Sequence, residues 1–422
     1  MKNIYCSVLC ISAICSTLWA GEIPVSANPI TLNQVLQIAE QRNPDILAAR
    51  KEWESAKERV RSVRTWPDPE VGVEFWGFSR SGLNVGSSEE KWYDISQTIP
   101  FPGKLILRGK SAEHGARRQE EVYRASKLDV LSKVKEAYYD YLYAERAAQI
   151  TNENLEVIRR FAKISESKYG TGKTTQSDVL RAQTELSKML NMLVTTAQER
   201  ETSQAKLNSL MDRRPEEPLG AAEEPGLAPI KYTFDELEQM ALQTRPEVHA
   251  AAHHIAHMEA ELKAVKADYL PDPTLQYTWR TREGMESDAV ALVKFNLPFI
   301  WFGRQRSMIR STQKEKEHAD ATLRSAVTLA RYEVKEYWIH VQTSRRLVDL
   351  YKTSVLPQAE QSIKVSEAAY QSGRAGFLDL LDSERALINF QLEYYKYLSE
   401  YGKNLAHLER AVGGDLTEAH HE

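Results

Sequence analysis

TLNQVLQIAEQRNPDILAA, residues 31–49, and TFDELEQMALQTRPEVHAA, residues 233–251, are one segment written twice. Thr31 answers Thr233, Pro44 answers Pro246, and Ala48 and Ala49 answer Ala250 and Ala251. The correspondence continues in the same order. Pro67-Asp68-Pro69 matches Pro271-Asp272-Pro273, Pro100-Phe101 matches Pro298-Phe299, and Gly103-Lys104 matches Gly303-Arg304. Val134-Lys135-Glu136 matches Val334-Lys335-Glu336, and KYGTGKTTQSDVL from Lys168 matches AYQSGRAGFLDLL from Ala369. A period of about 200 residues is far longer than a solenoid repeat, so the chain is two copies of one complex unit. The copies run over 31–212 and 233–413, with a segment rich in proline, glutamate and glycine, 213–232, between them.

Each unit alternates long helices with a short β ribbon. From Gly103 to Tyr169 there is no proline, and Val134, Tyr141, Ala148, Leu155, Ala162 and Tyr169 recur every seven residues. That spacing is a coiled-coil seam. Its companion positions, Ala137, Ala144, Thr151, Ile158 and Ser165, are mostly small, which calls for close helix approach. The second copy has Val334, Val341, Val348 and Val355 at one position and Tyr337, Ser344 and Tyr351 at the other, with a kink expected near Pro357. The spacing predicts long helices over about 104–169 and 304–371, and shorter ones from about Leu32 to Val63, Gln176 to Met211, Phe234 to Ala267 and Phe377 to Val412. At 1.5 Å per residue a helix of about 65 residues spans ~98 Å, and two of the shorter ones laid end to end match it, so the product is a rod or tube.

The exceptions are two ribbons, about 70–99 and 274–297. Leu275, Tyr277 and Trp279 alternate with Thr274, Gln276, Thr278 and Arg280, and Ala289, Ala291, Val293 and Phe295 alternate around Lys294 and Asn296. One apolar and one polar face suit a transmembrane β-barrel wall. They suit equally a hairpin packed on the helices. Four strands cannot close a barrel in hydrocarbon, so the first reading demands several chains, and three would supply twelve strands.

These residues resemble the outer-membrane efflux proteins typified by TolC. The duplicated threonine-to-proline helix starts, the PDP before each ribbon, the IPFPGK and LPFIWFGR exits and the turns YGTGKTTQSDVL and YQSGRAGFLDLLDSERAL carry the likeness over nearly the whole chain. The resemblance implies a mainly α fold with a small β part: a homotrimer with a twelve-stranded barrel in the outer membrane of a Gram-negative bacterium and an α-helical tunnel in the periplasm. It implies a passive exit duct of a tripartite system, with a periplasmic adaptor, an inner-membrane pump of the resistance-nodulation-division type and outer-membrane lipid as partners. The hairpin tips would form a periplasmic mouth that opens iris-fashion. Gly172 and Gly373 would allow the reversals, Asp178 and Asp379 would cap the returning helices or face the pore, and Leu180, Leu380 and Leu381 would pack the hairpins beside a docked adaptor. The segment 213–232 resembles the family's equatorial linker, and 414–422 a mobile tail. Phe101-Pro102-Gly103-Lys104 with Leu107-Arg108-Gly109 resembles the cobalt-zinc-cadmium and copper-silver branch. A protein-secretion duct and a soluble periplasmic coiled-coil scaffold are the alternatives.

Composition narrows the field further. Lysine and arginine number 55 against 59 acidic residues, a net charge of -4, which is not the basic face of a nucleic-acid binder. Residues 1–20 pair Lys2 with an apolar run from Ile4 to Trp19 and read as a signal peptide, with cleavage at Ala20 or as late as Ala27. Cys6, Cys10 and Cys15 all lie inside it, so the mature chain is expected to hold no thiol and no acylated cysteine. No later apolar run is long enough for a transmembrane helix. No nucleophile elbow, phosphate loop or HExxH occurs, so neither an enzyme nor a cofactor is expected. The one metal candidate is His249, His253 and His257, at i, i+4 and i+8 with His254 beside them, and a polar helix face explains it more simply.

Overall fold

The computed structural model describes residues 29–77, 88–227, 230–298 and 302–416. The expectations for the signal segment and its cysteines, most of the first ribbon's turn, Phe299 and the tail from Thr417 lie outside the described residues. In chain order the elements are α1 (Leu32–Arg42), α2 (Pro44–Ser62), β1 (Glu70–Trp76), β2 (Glu90–Thr98), α3 (Lys104–Gly170) and α4 (Gln176–Leu210). The second copy supplies α5 (Phe234–Thr244), α6 (Pro246–Ala267), β3 (Pro273–Arg282), β4 (Asp288–Phe295), α7 (Phe302–Leu350), α8 (Leu356–Gln371) and α9 (Phe377–Val412).

The segments read as single helices from Leu32 and from Phe234 are each broken in two. Pro44 and Pro246 force the preceding residue out of the helical region, leaving Asn43 at ψ 125° and Arg245 at ψ 120°. Asn43 turns the break into a joint. Its side-chain oxygen caps α2 by accepting from the Asp45 and Ile46 N–H groups at 2.9 and 3.3 Å, while its amide donates to the Leu210 carbonyl at 2.9 Å. That last bond meets an unpaired carbonyl at the end of α4. In the second copy Thr244 donates to the Val412 carbonyl at 2.7 Å, tying the α5–α6 joint to the end of α9. Each long helix is thus flanked by two shorter rods that meet near its middle.

Helix α3 has 67 residues and spans ~100 Å. All five companion positions from Ala137 to Ser165 are buried, and so are Val134, Tyr141, Leu155 and Ala162. Tyr169 ends the series exposed. The small seam residues permit what they imply: a Cβ built on Gly402 of α9 would lie 2.2 Å from the Tyr139 ring of α3. The second long helix is not continuous. Tyr351–Val355 forms a π-helical turn between α7 and α8, just before Pro357. Proline cannot donate the next hydrogen bond, and a widened turn absorbs the loss.

Among the described residues the apolar core is divided into three clusters. One apolar cluster, around Val35, Val134, Tyr138, Leu142 and Leu207, belongs to the first copy, and a second, around Leu237, Val341, Leu398 and Leu408, belongs to the second. A third lies where both hairpins end, around Ile158, Phe161, Met189, Leu380 and Leu381. The chain after α4 packs across the first copy. Leu219 and Ala222 are buried, and the Tyr138 hydroxyl donates to the Glu223 carbonyl at 2.6 Å.

The two ribbons form one antiparallel sheet, β1-β2-β3-β4, so the copies are stitched together by the pairing of β2 with β3. Val71, Ile95, Tyr277 and Ala291 share one rung, and Val73, Tyr93, Trp279 and Ala289 another, all on one face. Rungs of the opposite face hold Glu70, Ser96, Gln276 and Leu292, then Gly72, Asp94, Thr278 and Val290, then Glu74, Trp92, Arg280 and Asp288.

Candidate functional site

Two places carry the arrangement that function requires: the sheet and the hairpin tip opposite it. The apolar face of the sheet is bare. Tyr93, Ile95, Leu275, Tyr277 and Trp279 are each about half exposed, so no described helix covers them. A hairpin packed on helices would bury that face, so the packed-ribbon reading fails. Apolar side chains turned outward and polar ones turned inward are what lipid outside and water inside demand. No described helix is long and apolar enough to cross a membrane.

At the tip, both turns are built alike. Gly172 and Gly373 each adopt φ 71°, a left-handed conformation that glycine takes without steric cost. Thr175 caps α4, accepting from the Asp178 N–H at 3.3 Å, and Asp178 accepts in return from the Thr175 N–H at 3.2 Å and the Thr174 hydroxyl at 2.7 Å. The Thr174 hydroxyl bond is the largest cause holding the Asp178 carboxyl below its ordinary value. Asp379 accepts from the Gly376 N–H at 2.9 Å at the start of α9. Both aspartates are therefore helix caps.

The leucines divide. Leu380 and Leu381 are buried in the tip cluster, whereas Leu180, expected to pack the hairpin, is 55% exposed. Tyr370 is buried while its counterpart Tyr169 is about half exposed. The ends of the two hairpins are thus chemically unequal despite equal turns. They are linked by contacts that the motif comparison missed. Arg385 of α9 pairs with Glu185 of α4, and Lys168 of α3 donates to the Tyr370 carbonyl at 3.2 Å with its ammonium 3.7 Å from the Tyr370 ring centre. The Arg385 hydrogen bond, ahead of its charge, holds the Glu185 carboxyl below the usual range. Glu384, 3% exposed, is pushed the other way by burial and then by Glu367. A signal existed: Glu185 lies three residues after Ala182 and four before Met189, and Glu384 stands likewise between Leu381 and Ile388, so both charges interrupt apolar seams.

A second charged network joins the copies at mid-length. Arg410 of α9 meets Asp129, Glu247 and Glu333 at 2.5, 2.7 and 3.5 Å, and Arg245 meets Glu333 at 2.6 Å. Beside it Lys135 and Glu409 pair at 2.6 Å, and burial raises the Glu409 carboxyl to about 7.

The structure does not gather the histidines into a metal site. Residues at i and i+8 of a helix are ~80° apart around its axis, so the row diverges. His249 bonds to the Gln243 carbonyl at 2.7 Å, and His257 reaches across to the Ser111 carbonyl of α3 at 2.7 Å. Among the described residues no three histidine, cysteine, aspartate or glutamate side chains form a group able to hold a metal ion.

The outer membrane efflux protein model matches residues 35–212 and 237–414, one match for each copy. The chain belongs to the outer membrane efflux protein family. Among curated relatives, this efflux protein is 22% identical to the cobalt-zinc-cadmium resistance protein CzcC of Cupriavidus metallidurans, over 92% of this chain and 91% of CzcC. It is 20% identical to the outer membrane protein TolC of Vibrio cholerae, over 90% of each. Of solved structures, the outer-membrane channel OprN superposes with a TM-score of 0.77 at 18% identity, covering 92% of this chain and 91% of OprN. CusC does so at 0.75 and 18%, covering 91% and 92%. Like its family, the efflux protein is an exit duct of a tripartite system, located in the outer membrane with its helical tunnel in the periplasm. It works as a homotrimer with a periplasmic adaptor and an inner-membrane pump of the resistance-nodulation-division type. The relatives are channels and ducts rather than enzymes.

Proposed function

We propose that this duct carries heavy-metal cations, delivered by its pump and adaptor, and performs no catalysis of its own. The observation that carries the substrate class is the likeness to CzcC over nearly the full length of both chains, and the FPGK and LRGK stretch at the barrel exit, which resembles the heavy-metal branch of the family, supports it. The polar face of the sheet agrees with it: among the described residues Glu70 and Asp94 stand on that face without an ion pair, presenting carboxylates to the water column. A passive tube needs no resident metal site, because the pump selects the cargo.

In this reading residues 1–20, or as far as 27, are removed on export, 213–232 is the equatorial linker and 414–422 the tail. The turns at Gly172 and Gly373, with the caps Asp178 and Asp379, form the periplasmic mouth. Leu380 and Leu381 hold the inner packing there, and exposed Leu180 offers the adaptor an apolar contact.

Deleting the gene and plating on graded cobalt, zinc, cadmium, copper and silver salts tests the proposal. Sensitivity to one or more of these, restored by the intact gene, is expected. Unchanged metal tolerance together with loss of a secreted polypeptide from the medium would overturn it in favour of protein secretion, and sensitivity to organic compounds alone would overturn the cation class.

A further inference from the structure

The polar face of the sheet is not uniform along its length. Near the helices its rungs carry Glu70, Ser96 and Gln276, then Gly72, Asp94 and Thr278, all modest in size. Toward the hairpin turns the next rung holds Glu74, Trp92, Arg280 and Asp288, one residue from every strand, and Trp76, Glu90 and Arg282 follow it. Tryptophan is the bulkiest side chain available and arginine among the longest, and here both are braced. Trp76 and Trp92 lie 5.2 Å apart, the Arg280 guanidinium sits 5.3 Å from the Trp92 ring centre, and Asp288 holds Arg280 at 2.9 Å. Glu90 fixes the neighbouring groups, accepting from the Trp92 indole at 3.0 Å and pairing with Arg282 at 2.9 Å. Cation–π contact and ion pairing of this kind hold a side chain in one place against its own rotational freedom.

Barrel size makes this consequential. An eight-stranded barrel is filled by its side chains and a sixteen-stranded one leaves an aqueous channel. Twelve strands fall between, so the side chains on each rung set the clearance. Three chains place three indoles and three guanidiniums in one ring, and two rungs inward the same circumference is lined by serine, glutamine, glutamate and leucine.

We propose that the rung of Glu74, Trp92, Arg280 and Asp288 is the outer constriction of the duct, at which permeants are sorted by size. The inference rests on the barrel-wall reading of the sheet and adds to it a specificity-determining ring. The guanidinium and the two carboxylates leave the rung with a net negative charge, so anionic permeants pass it less readily than cationic ones of equal size.

The test places Gln276→Cys on the polar face two rungs inward of the ring and labels intact cells from outside, with the parent chain as the blank. The probes are a small methanethiosulfonate and a maleimide carrying a polyethylene glycol chain. With the ring intact, the small reagent labels the cysteine and the large one does not. With Trp92→Ala or Arg280→Ala added, the large reagent labels the cysteine as well, while heat-sensitive trimers persist. Labelling by the large reagent at equal rate with and without the ring, or its exclusion after both truncations, would overturn the proposal. Failure of the small reagent to reach Gln276→Cys would instead overturn the barrel-wall reading itself.

Discussion

Replacing Arg385 by alanine should unlock the periplasmic mouth proposed at the hairpin tips. Its ion pair with Glu185 joins α4 to α9, one helix from each hairpin, so opening that separates the hairpins must break it. A hydrogen bond to a charged group contributes ~1.5–3 kcal/mol, and since the Arg385 side chain is 39% exposed, solvent screening reduces this to about 1–1.5 kcal/mol per chain. If three chains open together the sum is about 3–4.5 kcal/mol, a shift of ~10²–10³ in the ratio of open to closed mouths. The two partners are not equivalent. Arg385→Ala strands Glu185, whose side chain is 10% exposed, on an apolar seam with Lys188 at 3.6 Å, whereas Glu185→Ala leaves Arg385 free to settle on Asp382 at 3.2 Å. The arginine variant should therefore show the larger increase in single-channel open probability in planar bilayers, and the double variant should show no more than the arginine variant alone. Open probabilities in all three variants equal to that of the parent trimer would refute the argument that this pair holds the mouth.

The mid-length network predicts a pH response. Glu409, pushed up by burial to about 7 in the folded protein against an ordinary 4.5, keeps its proton where the unfolded chain has lost it, so its contribution to stability falls as pH rises from 4.5 to 7. His253 and His254, held low by burial, act in the opposite sense and weaken the fold as pH drops through the ordinary imidazole value of ~6.5. Subtracting the melting curve of Glu409→Gln from that of the parent isolates the first effect, and a difference that does not change across this window would contradict it. Gly402→Ala should destabilise by about 1–3 kcal/mol, because the added methyl lies within the van der Waals radius of the Tyr139 ring and α9 must retreat from α3. Thermal denaturation of the detergent-solubilised trimer measures that cost, and a melting point within error of the parent would show that the helices have slack.

What the sequence revealed is what repetition and periodicity encode. The duplication, the seams from Val134 and Val334, and the alternation of Leu275, Tyr277 and Trp279 survive in the structure because each reflects a local rule of helix or strand. The breaks at Asn43 and Arg245 were overrun because the apolar pattern continues on both sides of them, although Pro44 and Pro246 marked the place. The unequal burial of Leu180 and Leu381 was illegible for a different reason. Their motifs are alike, and only the packing of Ile158, Phe161 and Met189 around the second hairpin distinguishes them. Spacing alone does not decide the fate of the histidines either, since a helix lying between α3 and α7 points successive imidazoles at different neighbours.

The pairing of β2 with β3 orders events in biogenesis. Tyr93 meets Trp279 only when both halves of the chain are present, so the sheet is a contact of extreme sequence separation, whereas the helical hairpins are local. Loop closure over such a length is slow compared with hairpin formation. As the chain emerges amino end first, the first helices can coil while β2 waits with an open edge, and the half-built ribbon cannot enter lipid without leaving backbone groups unsatisfied. Membrane insertion is thereby deferred until synthesis is complete and the subunits have met, which makes assembly the step that licenses the pore.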